Sequence, residues 1–125
     1  MNIQTLAKRA YSQSSAPTRN ARAVEFQLLA RISHRIKASA IAGPTAFPKL
    51  VAALSDNRKL WTALAVDVAD ADNDLPQDLR ARIFYLAEFV QVHTGKVLNR
   101  SAGVRPLLEV NAAVLRGLSG QGPKS

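Results

Sequence analysis

Cysteine is absent from the 125-residue chain. Disulfides, zinc–thiolate centres, iron–sulfur clusters and cysteine nucleophiles are therefore excluded. Histidine occurs only as His34 and His93, with no second ligand at metal-binding spacing beside either. Both read as core or boundary residues. No run of about 18 apolar residues is present, so no segment is expected to span a bilayer. Alternating apolar–polar strand patterns are missing, and β-branched residues do not cluster. The phosphate-loop, dinucleotide, zinc-protease and serine-elbow motifs are all missing. The expectation is a protein that is not an enzyme and takes no cofactor.

Acidic residues are scarce in one half only. Residues 1–60 hold ten Lys and Arg against Glu25 and Asp56, which accounts for the whole net charge of +8. Residues 61–125 hold seven of each sign. A positive field of this kind attracts nucleic acid, an anionic membrane or an acidic protein surface. The first residues, MNIQTLAKRAYSQ, lack a charged start followed by an apolar core, so they do not read as a secretory signal. A cytoplasmic protein is expected.

What is present is helical. Apolar residues make up 47% and charged residues 21%, which suits one globular domain. Ala and Leu dominate, both strong helix formers. Ile3, Leu6, Ala7 and Ala10 predict a short first helix over 3–11. A long helix is expected over 18–41, capped by Thr18, with Val24, Leu28, Ile32 and Ile36 recurring every four residues. Gly43-Pro44 breaks the chain. A third helix is expected over 45–69, with a break near Asp56-Asn57. A fourth, over 75–97, has Asp74 as N-cap and Pro76 in its first turn. Phe84, Ala87 and Phe89 make it apolar on more than one side, so it is expected to be the most buried. The last runs over 104–118. The fold class is all-α: a small bundle of four main helices plus the short N-terminal one, one domain over 1–118, with 119–125 a disordered tail.

Candidate chemistry is sparse. Asp67, Asp70, Asp72, Asp74 and Asp78 lack the turn glycine and closing glutamate of a calcium loop, so they read as caps and solvated loop. Trp61 is expected to anchor the core. Asn111 falls within the apolar stripe of the last helix, where it needs hydrogen-bond partners; a neighbouring loop is the expected source. The basic residues Arg22, Arg31, Arg35 and Lys37 suit phosphates. Exposed aromatics for base stacking are not evident beside them, since Phe26 reads as a packing residue.

The second half has a recognisable pattern. Leu60-Trp61, Asp67, the Asn73-x-Leu75-Pro76 turn and Leu79-Arg80 are followed by Leu108-Glu109-Val110-Asn111 and Arg116-Gly117-Leu118. With Ala10-Tyr11, Arg22, Glu25 and Phe26, this resembles the FlaF family of flagellar biosynthesis regulators of alphaproteobacteria, over about residues 5–118. The resemblance implies a non-enzymatic cytoplasmic protein serving flagellin production. It also implies flagellin as partner, bound by its amphipathic terminal helices as by a secretion chaperone. An FlbT-type regulator is a second implied partner. Two alternatives stand beside this: an RNA-binding regulator of flagellin messenger, and an adaptor for the FlbT-type regulator without flagellin contact.

On this reading the partner groove is expected on the 18–41 helix, using Phe26, Leu29 and Ile36. Arg22, Arg31 and Arg35 are its rim charges, and Tyr11 flanks or covers it. Trp61, Asp67, Leu75, Pro76, Arg80, Glu109 and Asn111 are expected to hold the scaffold. Oligomeric state is not legible.

Overall fold

In the computed structural model, residues 15–119 are described. They form four α-helices: α1, Ser15–Ala42; α2, Phe47–Ala69; α3, Gln77–Leu98; and α4, Arg105–Ser119, with a short 3₁₀ turn at Pro44–Ala46. There is no strand among the described residues. Each helix packs on the next, and α4 returns against α1, closing a four-helix ring. The predicted helix over 3–11 and residues 120–125 of the predicted tail lie outside the described residues. Ser119 itself ends α4.

Helix α1 starts at Ser15, so Thr18 lies within it rather than capping it. Its buried stripe is Leu29, Ile32 and Ile36, while Val24 is exposed and Leu28 half-buried. A spacing of four drifts about 40° per step around a helix, which carries Val24 off the core face. Gly43 ends the helix at φ 90°, a conformation that a Cβ disfavours. Its carbonyl accepts the Ala46 N–H at 2.9 Å.

Helix α2 runs unbroken through Asp56-Asn57. The expected break is absent because tertiary partners hold both residues. Asp56 pairs with Arg35 on α1 at 2.8 Å, and Asn57 is fully buried. Leu50, Ala53, Leu54, Leu60, Trp61, Leu64 and Val68 complete its buried face. Helix α2, not α3, is thus the most buried element. Helix α3 buries Ile83, Ala87, Val90, Thr94 and Val97. Its second apolar side faces outward: Phe84, Tyr85, Phe89 and Val92 are exposed.

The α2–α3 connection is closed by side chains. Arg80 donates from Nε to the Val68 carbonyl at 3.0 Å and from Nη2 to the Asp70 carbonyl at 2.8 Å. Those carbonyls lie at the C-terminal end of α2, where a cation is favoured. Asn73 Nδ2 donates to the Asp67 carbonyl at 3.2 Å, and Asn73 Oδ1 accepts the Leu75 N–H at 3.0 Å. Pro76 is the N-cap of α3 and no side chain caps it, so Asp74 does not take that role. After α3, the Arg100 and Ser101 N–H groups bond back to the Val97 and Lys96 carbonyls at 3.0 and 2.9 Å. This Schellman closure puts Arg100 at φ 66° where glycine is usual. The Arg100 guanidinium lies 4.6 Å from the centroid of the Phe47 ring, a cation–π contact that offsets part of the strain.

Candidate functional site

Among the described residues, Leu29 and Ile36 do not line the groove expected on α1. Leu29 and Ile36 are 1% and 0% exposed, locked in the core. They cannot receive a partner without unfolding the bundle. Their spacing marks the face toward α2 and α4, and an amphipathic stripe alone does not tell core from docking face. Arg31 is exposed. Arg35 is held by Asp56 rather than standing at a rim. Tyr11 lies outside the described residues, as do the side chains of Arg22 and Phe26.

The scaffold residues come together in two clusters. The first is a buried polar node. Trp61 Nε1 donates to Asn111 Oδ1 at 2.8 Å. Asn111 Nδ2 donates to Ser33 Oγ and to Asn57 Oδ1, both at 2.9 Å. The node therefore ties α4 to α1 and α2 at mid-height, and the partners of Asn111 lie on helices, not on a loop. The second cluster is the α2–α3 closure, where Asn73 bonds to Asp67 and Leu75, while Arg80 covers the Val68 and Asp70 carbonyls and donates its backbone N–H to the Pro76 carbonyl. Glu109 belongs to neither. It is exposed and, among the described residues, pairs with Arg105, one turn away on α4, at 3.4 Å. Such a surface pair contributes little.

The histidines differ. His34 is exposed. His93 is half-buried; it stacks on Phe89 with centroids 5.3 Å apart, and its Nε2 lies 2.9 Å from the Gly103 carbonyl. Among the described residues no three His, Asp or Glu side chains converge as a metal site would require. In the acidic loop, Asp70 Oδ1 accepts the Asp72 N–H at 2.9 Å. No described helix is long and apolar enough to cross a membrane.

The open apolar surface lies elsewhere, between α2 and α3. A groove of about 430 Å³ is walled by Ala65, Val66 and Ala69 on one side and Phe84 and Ala87 on the other, with Glu88 and Gln91 at one margin. Val66 and Phe84 form its lips and are 59% and 54% exposed. The Gln91 amide holds the two walls together through Thr62 Oγ1 at 3.1 Å and the Arg58 carbonyl at 3.3 Å. Arg58 Nη2 returns a bond of 2.7 Å to the Gln91 carbonyl. The walls are helical and cross-braced, so the groove is preformed. Its chemistry is that of a site for an apolar helix face: small residues on the floor, large ones at the lips, few polar atoms between. Val66 carries no signal of its own in the sequence, whereas Phe84 belongs to the second apolar side of α3, and periodicity alone does not tell an exposed apolar side from a buried one.

The family model described as flagellar protein FlaF matches residues 7–118. No curated protein and no solved structure matches the chain.

Proposed function

Because the chain belongs to the FlaF family of flagellar proteins, we propose that its part in flagellar assembly is that of a cytoplasmic, flagellin-binding secretion chaperone that also regulates flagellin synthesis. It acts by binding, not by catalysis. The observation that carries this reading is the preformed apolar groove between α2 and α3, with Val66 and Phe84 at its lips. An amphipathic terminal helix of flagellin lays its apolar face there. Capture of the free monomer then holds flagellin out of the assembly equilibrium by mass action.

The test is co-expression with the flagellin of the same organism, followed by size-exclusion chromatography with light scattering. A stoichiometric complex is expected. Val66→Asp and Phe84→Asp place a charge at each lip and are expected to weaken the complex by roughly tenfold or more. Both positions are exposed, so the fold is retained. No complex with the folded protein moves the function to flagellin messenger or to an FlbT-type partner. A gel shift whose affinity falls with salt, by a slope of roughly −0.7 per neutralised phosphate on single strands, identifies the messenger reading.

A further inference from the structure

The two ends of the α2/α3 groove differ. Toward the α2–α3 connection it is apolar, with Ala69, Val66 and Phe84 around it. Toward mid-helix it is closed by the Gln91 amide, which bridges to Thr62 Oγ1 and the Arg58 carbonyl. Glu88 stands at this closed end. It lies four residues beyond Phe84 on α3, about 6 Å along the same lip and about 40° around the helix.

Among the described residues lining the groove, Glu88 alone is charged. It is exposed and forms no ion pair among the described residues. The Arg58 guanidinium, which braces this end, is directed to the Gln91 carbonyl at 2.7 Å. Glu88 is thus a carboxylate at the mouth of an apolar groove with no cation to meet it inside the bundle.

Such a group discriminates between helices. In the open groove water solvates it. A helix laid over Ala65, Ala69 and Ala87 displaces part of that water. The carboxylate then needs a cation, or its lost hydration opposes binding. A wholly apolar helix face is disfavoured, and a face with one Lys or Arg at its edge is favoured. The spacing sets the position of that cation. The Val66 and Phe84 lips receive a large apolar side chain over the alanine floor, and Glu88 is one helical turn further on. Residues three or four apart on a helix are neighbours on its surface. The cation of the partner therefore falls three or four residues from its apolar anchor.

We propose that the α2/α3 groove takes a helix with an apolar anchor between Val66 and Phe84 and, one turn away, a Lys or Arg that pairs with Glu88. This rests on the flagellin-binding reading and identifies which stretch of a terminal helix is seated. It also sets direction: the end of the helix that carries the cation points to Gln91. The pair acts at contact, whereas the positive field of residues 1–60 acts on encounter.

Binding of the full chain to the flagellin of the same organism, at two ionic strengths, tests this. Glu88→Gln is expected to weaken the complex roughly threefold and Glu88→Lys roughly tenfold or more, both with reduced salt dependence. Glu88 is exposed, and circular dichroism checks that helicity is unchanged. Each Lys and Arg of the terminal helices of flagellin is then reversed to Glu in turn. One reversal is expected to restore affinity for the Glu88→Lys variant while weakening affinity for wild type. If Glu88→Lys binds as tightly as wild type while Phe84→Asp loses the complex, the inference falls and the groove reading stands. The inference falls equally if no reversal restores binding to Glu88→Lys. A wild-type chain that forms no complex is a different result, and overturns the flagellin reading and this pairing together.

Discussion

Asn111 shows what one polar side chain does in a core this small. It accepts from Trp61 and donates to Ser33 and Asn57, so three helices share one amide. Asn57 Nδ2 is buried with no partner among the described residues, so within them the node already carries one unsatisfied donor. Removing the central amide strands the Trp61 N–H and the Asn57 carbonyl oxygen together. Asn111→Ala is therefore expected to lower the unfolding free energy by about 3 kcal/mol or more, read from urea denaturation. Ser33→Ala removes one peripheral acceptor and is expected to cost about 1 kcal/mol. Near-equal losses for the two variants would mean that the node is not centred on Asn111. The sequence revealed that Asn111 needed partners, because an amide inside an apolar stripe cannot stay unpaired. It did not reveal which, since Trp61, Asn57 and Ser33 lie 50 to 78 residues away along the chain.

At the scale of elements, helix identity followed from period and punctuation, and errors gathered where tertiary contacts override them. Gly43-Pro44 stops α1 as the dipeptide implies. Asp56-Asn57 does not stop α2, because Arg35 and Asn111 hold those two residues in the helix. The apolar second side of α3 was visible in sequence. Which way it faces was not, because periodicity gives the angle between two faces and not the depth of either. The α2–α3 turn was legible as a motif, and its physics is helix closure. Arg80 covers two carbonyls at the end of α2. Arg80→Ala is expected to cost about 1–2 kcal/mol in thermal or urea unfolding. It is also expected to leave flagellin binding unchanged at a temperature where the variant is folded. Loss of binding by the folded variant would move Arg80 from scaffold to site.

At the scale of the whole molecule, charge and apolar surface are separated. The net charge of +8 belongs to residues 1–60, while the α2/α3 groove is bounded by α3 from the charge-balanced half. Kinetics distinguishes the two contributions. A long-range field acts on encounter, so it sets the association rate and makes it depend on salt. Apolar contacts form after encounter, so they set the dissociation rate. Arg35 is a poor probe of the field, because reversing it also breaks its ion pair with Asp56. Arg31 and Lys37 are exposed and avoid that confusion. Arg31→Glu with Lys37→Glu is expected to slow association with flagellin by roughly three- to tenfold at low salt and flatten its salt dependence. The dissociation rate is expected to hold. Phe84→Asp is expected to do the reverse, speeding dissociation and leaving the salt dependence of association in place. Stopped-flow or surface-binding kinetics at two ionic strengths reads both. If the double reversal leaves association unchanged at low salt, the basic half does not steer this partner, and the search for an acidic ligand of α1 begins apart from the groove.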